Sequence, residues 1–311
     1  MLQVLTILTP IFALILAGFI GRRSHILGAT AAAELNRLVV WLCLPALLIH
    51  TTATTELRQI WHGGFVMTFT LATLLLFVLC FAWRLWRGAT MASASLDALG
   101  ASYANTGYVG IPLCLFVLGD AGLEPALIAT LIVVCGLFAI AVTLIEVSLH
   151  ASQGLVGALI KVSQALLKNP LVVSPFIGIL WNLSGLAMPQ MAATFLQLAG
   201  DATVPCALIS LGAFLAHKQP GSASGSLALV LMKLLLHPLL AAALAYWVFA
   251  LPPRWAVAAV LLSALPTGTG PYMLAEFYRH EASLVSRTIL LSTAGSLLTL
   301  SGYLFWLDGR V

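Results

Sequence analysis

The sequence predicts an all-α polytopic membrane protein, with ten transmembrane helices in a five-plus-five inverted repeat and two broken crossover helices. Three observations predict it. Hydrophobic residues are 61% of the 311 and charged residues only 8%, against about 25% charged in an ordinary soluble domain. Polar and Gly/Pro breaks divide the chain into ten apolar stretches, and a helical span takes about 20 apolar residues. Prolines recur in pairs about half a chain apart. The low charge and a mean hydropathy of +1.06 exclude a soluble globular surface, a disordered chain and a coiled coil. They also exclude a nucleic-acid-binding domain, so the surface partner is the lipid bilayer. Short strands of alternating polarity, the barrel signature, are absent.

The predicted spans are 2–21, 33–54, 63–83, 95–118, 123–148, 168–188, 192–216, 226–250, 255–278 and 282–306. Span 1 lacks a basic region before it and ends at Arg22-Arg23 rather than at a small-residue cleavage site, so it reads as a retained span. The connections are short. The segment 149–167 is the longest, and it suits an amphipathic helix lying on the membrane. Residues 1–148 and 168–311 then form the two repeats, with 149–167 as a cytoplasmic connector. The five cysteines are scattered in apolar runs without a CxxC pair, and they read as small buried hydrophobes. No metal site or cofactor is expected.

Lys and Arg in the connections set the orientation. With the N-terminus outside, Arg22, Arg23, Arg84, Arg87, Lys161, Lys168, Lys218 and Arg279 fall inside, and Arg58, Arg254 and Arg310 outside. Eight against three predicts both termini outside.

Pro45 and Pro205 lie 160 residues apart in spans 2 and 7, Pro112 and Pro271 lie 159 apart in spans 4 and 9, and Pro10 and Pro175 lie 165 apart in spans 1 and 6. Three pairs in order indicate two five-span halves. Five is odd, so the second half sits upside down, the arrangement of many secondary transporters.

Span 4 reads Tyr103-Ala104-Asn105-Thr106-Gly107-Tyr108-Val109-Gly110-Ile111-Pro112, and span 9 reads Ala264-Leu265-Pro266-Thr267-Gly268-Thr269-Gly270-Pro271-Tyr272. Proline removes a backbone donor and clashes with the preceding turn. Glycine costs a helix roughly 1 kcal/mol. Broken backbone at membrane depth is tolerated only where protein or a water-filled cavity receives its polar groups. Matched interruptions in two halves are the best sequence pointer to a transporter's site. Half-helix N-termini carry partial positive charge and free N–H groups, which suit a carboxylate. The Asn105 amide and the hydroxyls of Thr106, Thr267 and Thr269 add donors. The candidate substrate-binding residues are therefore Asn105, Thr106, Gly107, Gly110, Pro112, Pro266, Thr267, Gly268, Thr269, Gly270, Pro271 and Tyr272.

Leu44-Pro45-Ala46-Leu47, Asn105-Thr106 with Gly110-Ile111-Pro112, and Leu265-Pro266 with Gly268, Pro271 and Glu276 resemble the auxin efflux carrier family along nearly the whole chain. That family includes plant auxin exporters and short bacterial carriers, some linked to malonate. The resemblance implies a scaffold of spans 1, 2, 6 and 7, forming a homodimer through spans 2 and 7. It implies a moving unit of spans 3–5 and 8–10, and a crossing of spans 4 and 9 at Pro112 and Pro271. It also implies that Asn105 contacts the substrate carboxylate. The short central connector resembles that of a bacterial member, with the inner (plasma) membrane as its place.

An ionisable residue at mid-membrane costs about 2.5–3.5 kcal/mol on the lenient scale and needs a reason. Lys233 and His237 lie one helical turn apart in span 8. They read as an anion or proton site facing the cavity, or as a snorkelling lysine beside a histidine bonded to a carbonyl. Arg287, about one turn into span 10, would attract the anion or pair with Glu281 or Glu276.

The leading function is alternating-access transport of a small organic anion, with H⁺ or Na⁺ as the co-transported candidate. Sodium would use carbonyls freed at the breaks. A sodium-coupled bile-acid-symporter-like carrier and an anion-binding sensor without flux are the alternatives. An enzyme is not expected: HExxH, GxSxG and GxxxxGK[ST] are all absent, and Asp97 and Asp201 form no dyad pattern.

Overall fold

The computed structural model describes residues 2–54, 62–150, 164, 167–168, 170–216 and 223–307. These residues form an all-helical protein without a strand. The helices are α1 (Leu2–Arg23), α2 (Ala31–Thr54), α3 (Gly63–Trp86), α4 (Met91–Ser102), α5 (106–118), α6 (Leu123–His150), α7 (Pro170–Leu183), α8 (Gln190–Leu215), α9 (Gly225–Val248), α10 (Pro253–Ser263), α11 (Gly270–Phe277) and α12 (Ser283–Leu307). Six of them (α2, α3, α6, α8, α9 and α12) are long and apolar enough to cross a membrane. The proposed amphipathic helix in 149–167 falls largely outside the described residues, as do Arg58, Lys161, Lys218 and Arg310 of the charge count.

Local chemistry moves two predicted boundaries. Span 4 begins at Met91, because the Thr90 hydroxyl caps the helix by accepting from Ser93 N at 3.2 Å. Asp97 therefore lies inside α4, where it takes a 2.6 Å ion pair from Arg84 at the end of α3. Span 6 stops at Leu183, where Gly185 turns the chain with φ +70°.

The interior prolines leave their mark as π-turns. Val39–Cys43 precedes Pro45 in α2, and Met232–Leu236 precedes Pro238 in α9. A proline removes one i→i−4 bond, and a wider turn just before it absorbs the misfit without ending the helix.

Helix pairs close on glycine. A Cβ on Gly18 of α1 would lie 2.1 Å from the Ile209 carbonyl of α8, and one on Gly178 of α7 would lie 2.6 Å from the Ile49 carbonyl of α2. Both partners of the second contact stand 160 residues from their counterparts in the first or in its mirror: 18 to 178 and 49 to 209. Small residues let backbones approach where lipid supplies no hydrophobic drive between helices. At the centre sit α4, buried from Ala92 to Ser102 except Ser93, and α10, buried from Trp255 to Ser263. Small side chains let other helices pack on every face of α4 and α10, and each of these leads directly into a break. Large apolar side chains such as Met191 (88% exposed), Phe305 (84%) and Trp247 (83%) cover the outside, a surface suited to lipid.

Candidate functional site

The two breaks meet. After α4 the chain leaves the helix at Tyr103, Ala104 and Asn105, and after α10 it does so at Leu265, Pro266 and Thr267. Asn105 N donates to the Pro266 carbonyl at 2.9 Å, and Gly268 N donates to the Tyr103 carbonyl at 3.0 Å. Ala104 and Thr267 thus form an isolated antiparallel bridge between otherwise helical segments. Backbone groups freed by one break are satisfied by the other, which is how extended chain is tolerated inside apolar surroundings. The pairing lies ahead of Pro112 and Pro271, so the crossing is set by the extended residues and not by those prolines. Pro271 is the second residue of α11, where a missing N–H costs nothing, whereas Pro112 follows the π-turn Thr106–Gly110 inside α5.

Side chains lock the crossing. The Thr267 hydroxyl donates to the Gly100 carbonyl at 2.9 Å, filling the open C-terminus of α4, and Thr267 N donates to the Ser292 hydroxyl of α12 at 3.1 Å. Gly268 and Gly270 lie under the Tyr103 ring, where an added Cβ would approach to 2.9 and 2.6 Å. Gly110 packs on Leu262 and Leu265, at 3.0 and 2.9 Å from an added Cβ.

Beside the bridge is a cavity of about 160 Å³. It is below the usual range for drug-sized ligands of about 300–1,000 Å³ and larger than one water needs. Its walls come from α2 (Leu44, Leu47, Leu48, Thr51), the first break (Tyr103 to Gly107), α6 (Leu127, Thr130, Leu131, Val134, Cys135), Thr203 of α8, and Gly268, Thr269 and Met273. No charged residue lines it. Two of its hydroxyls, Thr106 Oγ1 (residue 1% exposed) and Thr203 Oγ1 (2%), are buried without a partner among the described residues. Asn105 borders it, and its backbone carbonyl accepts from Val109 N and Gly110 N. Asn105 is also the N-cap position of the 106–118 helix, so the first N–H groups of that helix open next to the cavity.

Of the residues expected at the site, Asn105, Thr106, Gly107, Gly268 and Thr269 line this cavity. Thr267, Gly110, Pro266, Gly270 and Pro271 do not line it and belong to the crossing itself. The Pro112 side chain lies outside the described residues. Tyr272 is also away from it: fully buried, its hydroxyl meets Ser210 Oγ of α8 at 3.3 Å, and its ring packs on Phe214. Thr51, Thr130 and Thr203 escape sequence reading because single hydroxyls in apolar helices are common and usually bond a carbonyl one turn back, as Thr130 does to Ala126.

Lys233 and His237 do not face the cavity, and Lys233 does not snorkel. Both are 0% exposed. Lys233 Nζ donates to the Ser263 carbonyl at 2.6 Å and stands 3.0 Å from His237 Nδ1. His237 Nε2 lies 3.2 Å from Thr73 Oγ1 of α3. Arg287 lines a separate polar recess of about 330 Å³ with Arg84, Arg87, Asp97 and Glu281. A larger cleft of about 900 Å³ between α9 and α12 is lined mainly by apolar side chains.

A bundle of apolar helices with two interrupted ones bridged beside a small interior cavity is the architecture of a membrane transporter rather than an enzyme. The chain belongs to the family described as membrane transport protein, which matches residues 3–304, and so to the auxin efflux carriers. It is 27% identical over 307 residues to a protein of Rhizobium meliloti named "Putative malonate transporter", covering 98% of this chain and 96% of that one. It is 28% identical over 297 residues to an uncharacterized transporter of Methanothermobacter thermautotrophicus, covering 93% and 94%. Auxin efflux carrier component 8 of Arabidopsis thaliana is 30% identical over 164 residues, covering 50% of this chain and 44% of that one.

Proposed function

We propose that this protein is a secondary carrier that moves small organic carboxylate anions, malonate foremost, by alternating access. The observation that carries the reading is the Ala104–Thr267 bridge between two broken helices, set against a cavity with two unpartnered buried hydroxyls. A carboxylate there would accept from the Asn105 amide, the Thr106 and Thr203 hydroxyls and the N-terminus of α5, with no buried cation needed. The relative named for malonate brings that dicarboxylate forward.

The carrier crosses the membrane ten times, as inverted repeats 1–148 and 168–311 joined by a connector at 149–167. The Gly18–Ile209 and Gly178–Ile49 contacts support the repeat, because each is the other's image at a shift of 160. Spans 1, 2, 6 and 7 form the scaffold, and spans 3–5 and 8–10 move. The apolar outer faces of α2 and α8, with Trp41 and Phe195 exposed, suit a homodimer through spans 2 and 7. The protein sits in a bacterial inner membrane with both termini outside. Access from one side is supported by contacts that close the other end of the scaffold on α11. There, Asn36 Nδ2 donates to the Met273 carbonyl at 3.3 Å, and Tyr272 meets Ser210.

Uptake of labelled malonate into proteoliposomes tests the reading, with potential, pH and sodium gradients imposed separately. A hydrogen bond to a charged group contributes about 1.5–3 kcal/mol. Folded Asn105→Ala is therefore expected to transport at least about tenfold more slowly at low malonate. Undiminished flux in that variant would take the anion away from the break. Folded wild type without flux under any gradient would remove malonate.

A further inference from the structure

The polar recess of about 330 Å³ shares no described residue with the cavity beside the bridge. Three helix N-termini converge on it, through Ser93 of α4, Gly225 of α9 and Ser283 of α12. Each brings partial positive charge and backbone N–H groups without a helical acceptor. Arg84 and Arg87 enter from the end of α3, and Arg287 from the second turn of α12. Against these three arginines stand two carboxylates among the described residues, and both are already engaged. Asp97 holds Arg84 at 2.6 Å, and Glu281 Oε1 accepts from Ser283 Oγ at 2.6 Å. Arg87 is exposed and makes no ion pair among the described residues.

The planar fork of an arginine matches the oxygens of a phosphate, and helix N-termini favour the same group. The setting favours a lipid's phosphate over a free one. Trp86, next to Arg87, is 83% exposed, and the Trp83 ring lies 5.9 Å from the Arg84 guanidinium carbon. Tryptophans at the end of an apolar helix mark the level of lipid headgroups. Leu96 and Leu284 add apolar wall to the recess. The orientation predicted from the sequence puts this end inside, the side on which basic pockets between membrane helices hold anionic headgroups. We propose that the recess binds the headgroup phosphate of an anionic phospholipid, held by Arg87 and Arg287, with Arg84 kept in position by Asp97. The inference goes beyond the carrier reading and does not depend on it.

Melting of the delipidated full chain in detergent tests this. Wild type is expected to gain about 2–4 °C from dioleoylphosphatidylglycerol near ten times its dissociation constant, and nothing from dioleoylphosphatidylcholine. The double variant Arg87→Gln with Arg287→Gln should gain less than half as much over its own melting in phosphatidylcholine. Arg23→Gln removes an exposed arginine at the end of α1, on the same predicted side, and should keep the full gain. A wild type that does not distinguish the two lipids overturns the proposal. So does a double variant that keeps the full gain, or an Arg23→Gln variant that loses as much as the double. Inorganic phosphate or malonate giving wild type the same gain without lipid would also overturn it, making the recess a site for a free anion. Should the double variant fail to fold, the single Arg87→Gln decides, because that side chain is exposed: a reduced gain supports the lipid site, and the full gain overturns it.

Discussion

At the crossing, single atoms separate positions that look alike in sequence. Gly270 and Gly107 both sit in a break, yet an added Cβ meets Tyr103 Cζ at 2.6 Å in the first and nothing within 4 Å in the second. The Tyr103 ring is held edge-on by Phe138 at 6.1 Å and has little room to yield. Gly270→Ala is expected to cost about 1–3 kcal/mol, as overpacking does, and to lower the melting temperature. Gly107→Ala should leave melting unchanged while its methyl narrows the cavity and weakens malonate binding. Thermal unfolding and equilibrium binding, measured on both variants, check the pair; equal melting losses would place Gly107 in the packed crossing. The same scale separates the threonines: Thr267 spends its hydroxyl on Gly100, whereas the buried Thr106 hydroxyl has no partner among the described residues.

Among the elements, glycine decides how closely helices approach, and proline decides where they widen. The α1–α8 and α2–α7 contacts each press a glycine against a carbonyl, at 2.1 and 2.6 Å from an added Cβ. The Gly178 site adds Thr52 Oγ1, at 1.9 Å from that Cβ. Gly18→Ala and Gly178→Ala should therefore each destabilise by about 1–3 kcal/mol. The double variant should lose the sum, because the contacts share no residue. Melting in detergent of the two singles and the double checks this; a double no worse than one single would show that the two contacts are coupled. The π-turn ahead of Pro238 has a different consequence, since it lies where Lys233 and His237 turn inward to the α10 terminus.

For the whole molecule, the orientation predicted from the sequence places an excess of Lys and Arg in the loops on one side. A single cysteine at Leu123, 40% exposed, in a background without the five native cysteines, should react with a membrane-impermeant maleimide on intact cells. A cysteine at the exposed Arg87 should react only after permeabilisation. The reverse pattern would turn the topology over. Cysteine cross-linking on the outer faces of α2 and α8, seen as a dimer band in membranes, addresses the homodimer in the same cells.

Composition alone determined the membrane class, because 8% charge cannot solvate a globular surface. Proline and glycine placement determined where helices break, since those residues act on their own backbone. The cavity depended on something else. Thr51, Thr130 and Thr203 come to it from three different helices, and no local pattern marks which threonine of an apolar helix ends up lining a cavity. Thr267 and Tyr272 read as site residues in one dimension, yet the fold spends them on Gly100 and Ser210. Lys233 is the sharpest case: its spacing from His237 is local and legible, but its partner carbonyl lies 30 residues away. Only the packing of α9 on α10 decides that its nitrogen meets a helix terminus rather than water. Backbone propensity is a property of the sequence nearby, whereas the partner of a buried polar atom is a property of what the tertiary structure brings within about 3 Å of it.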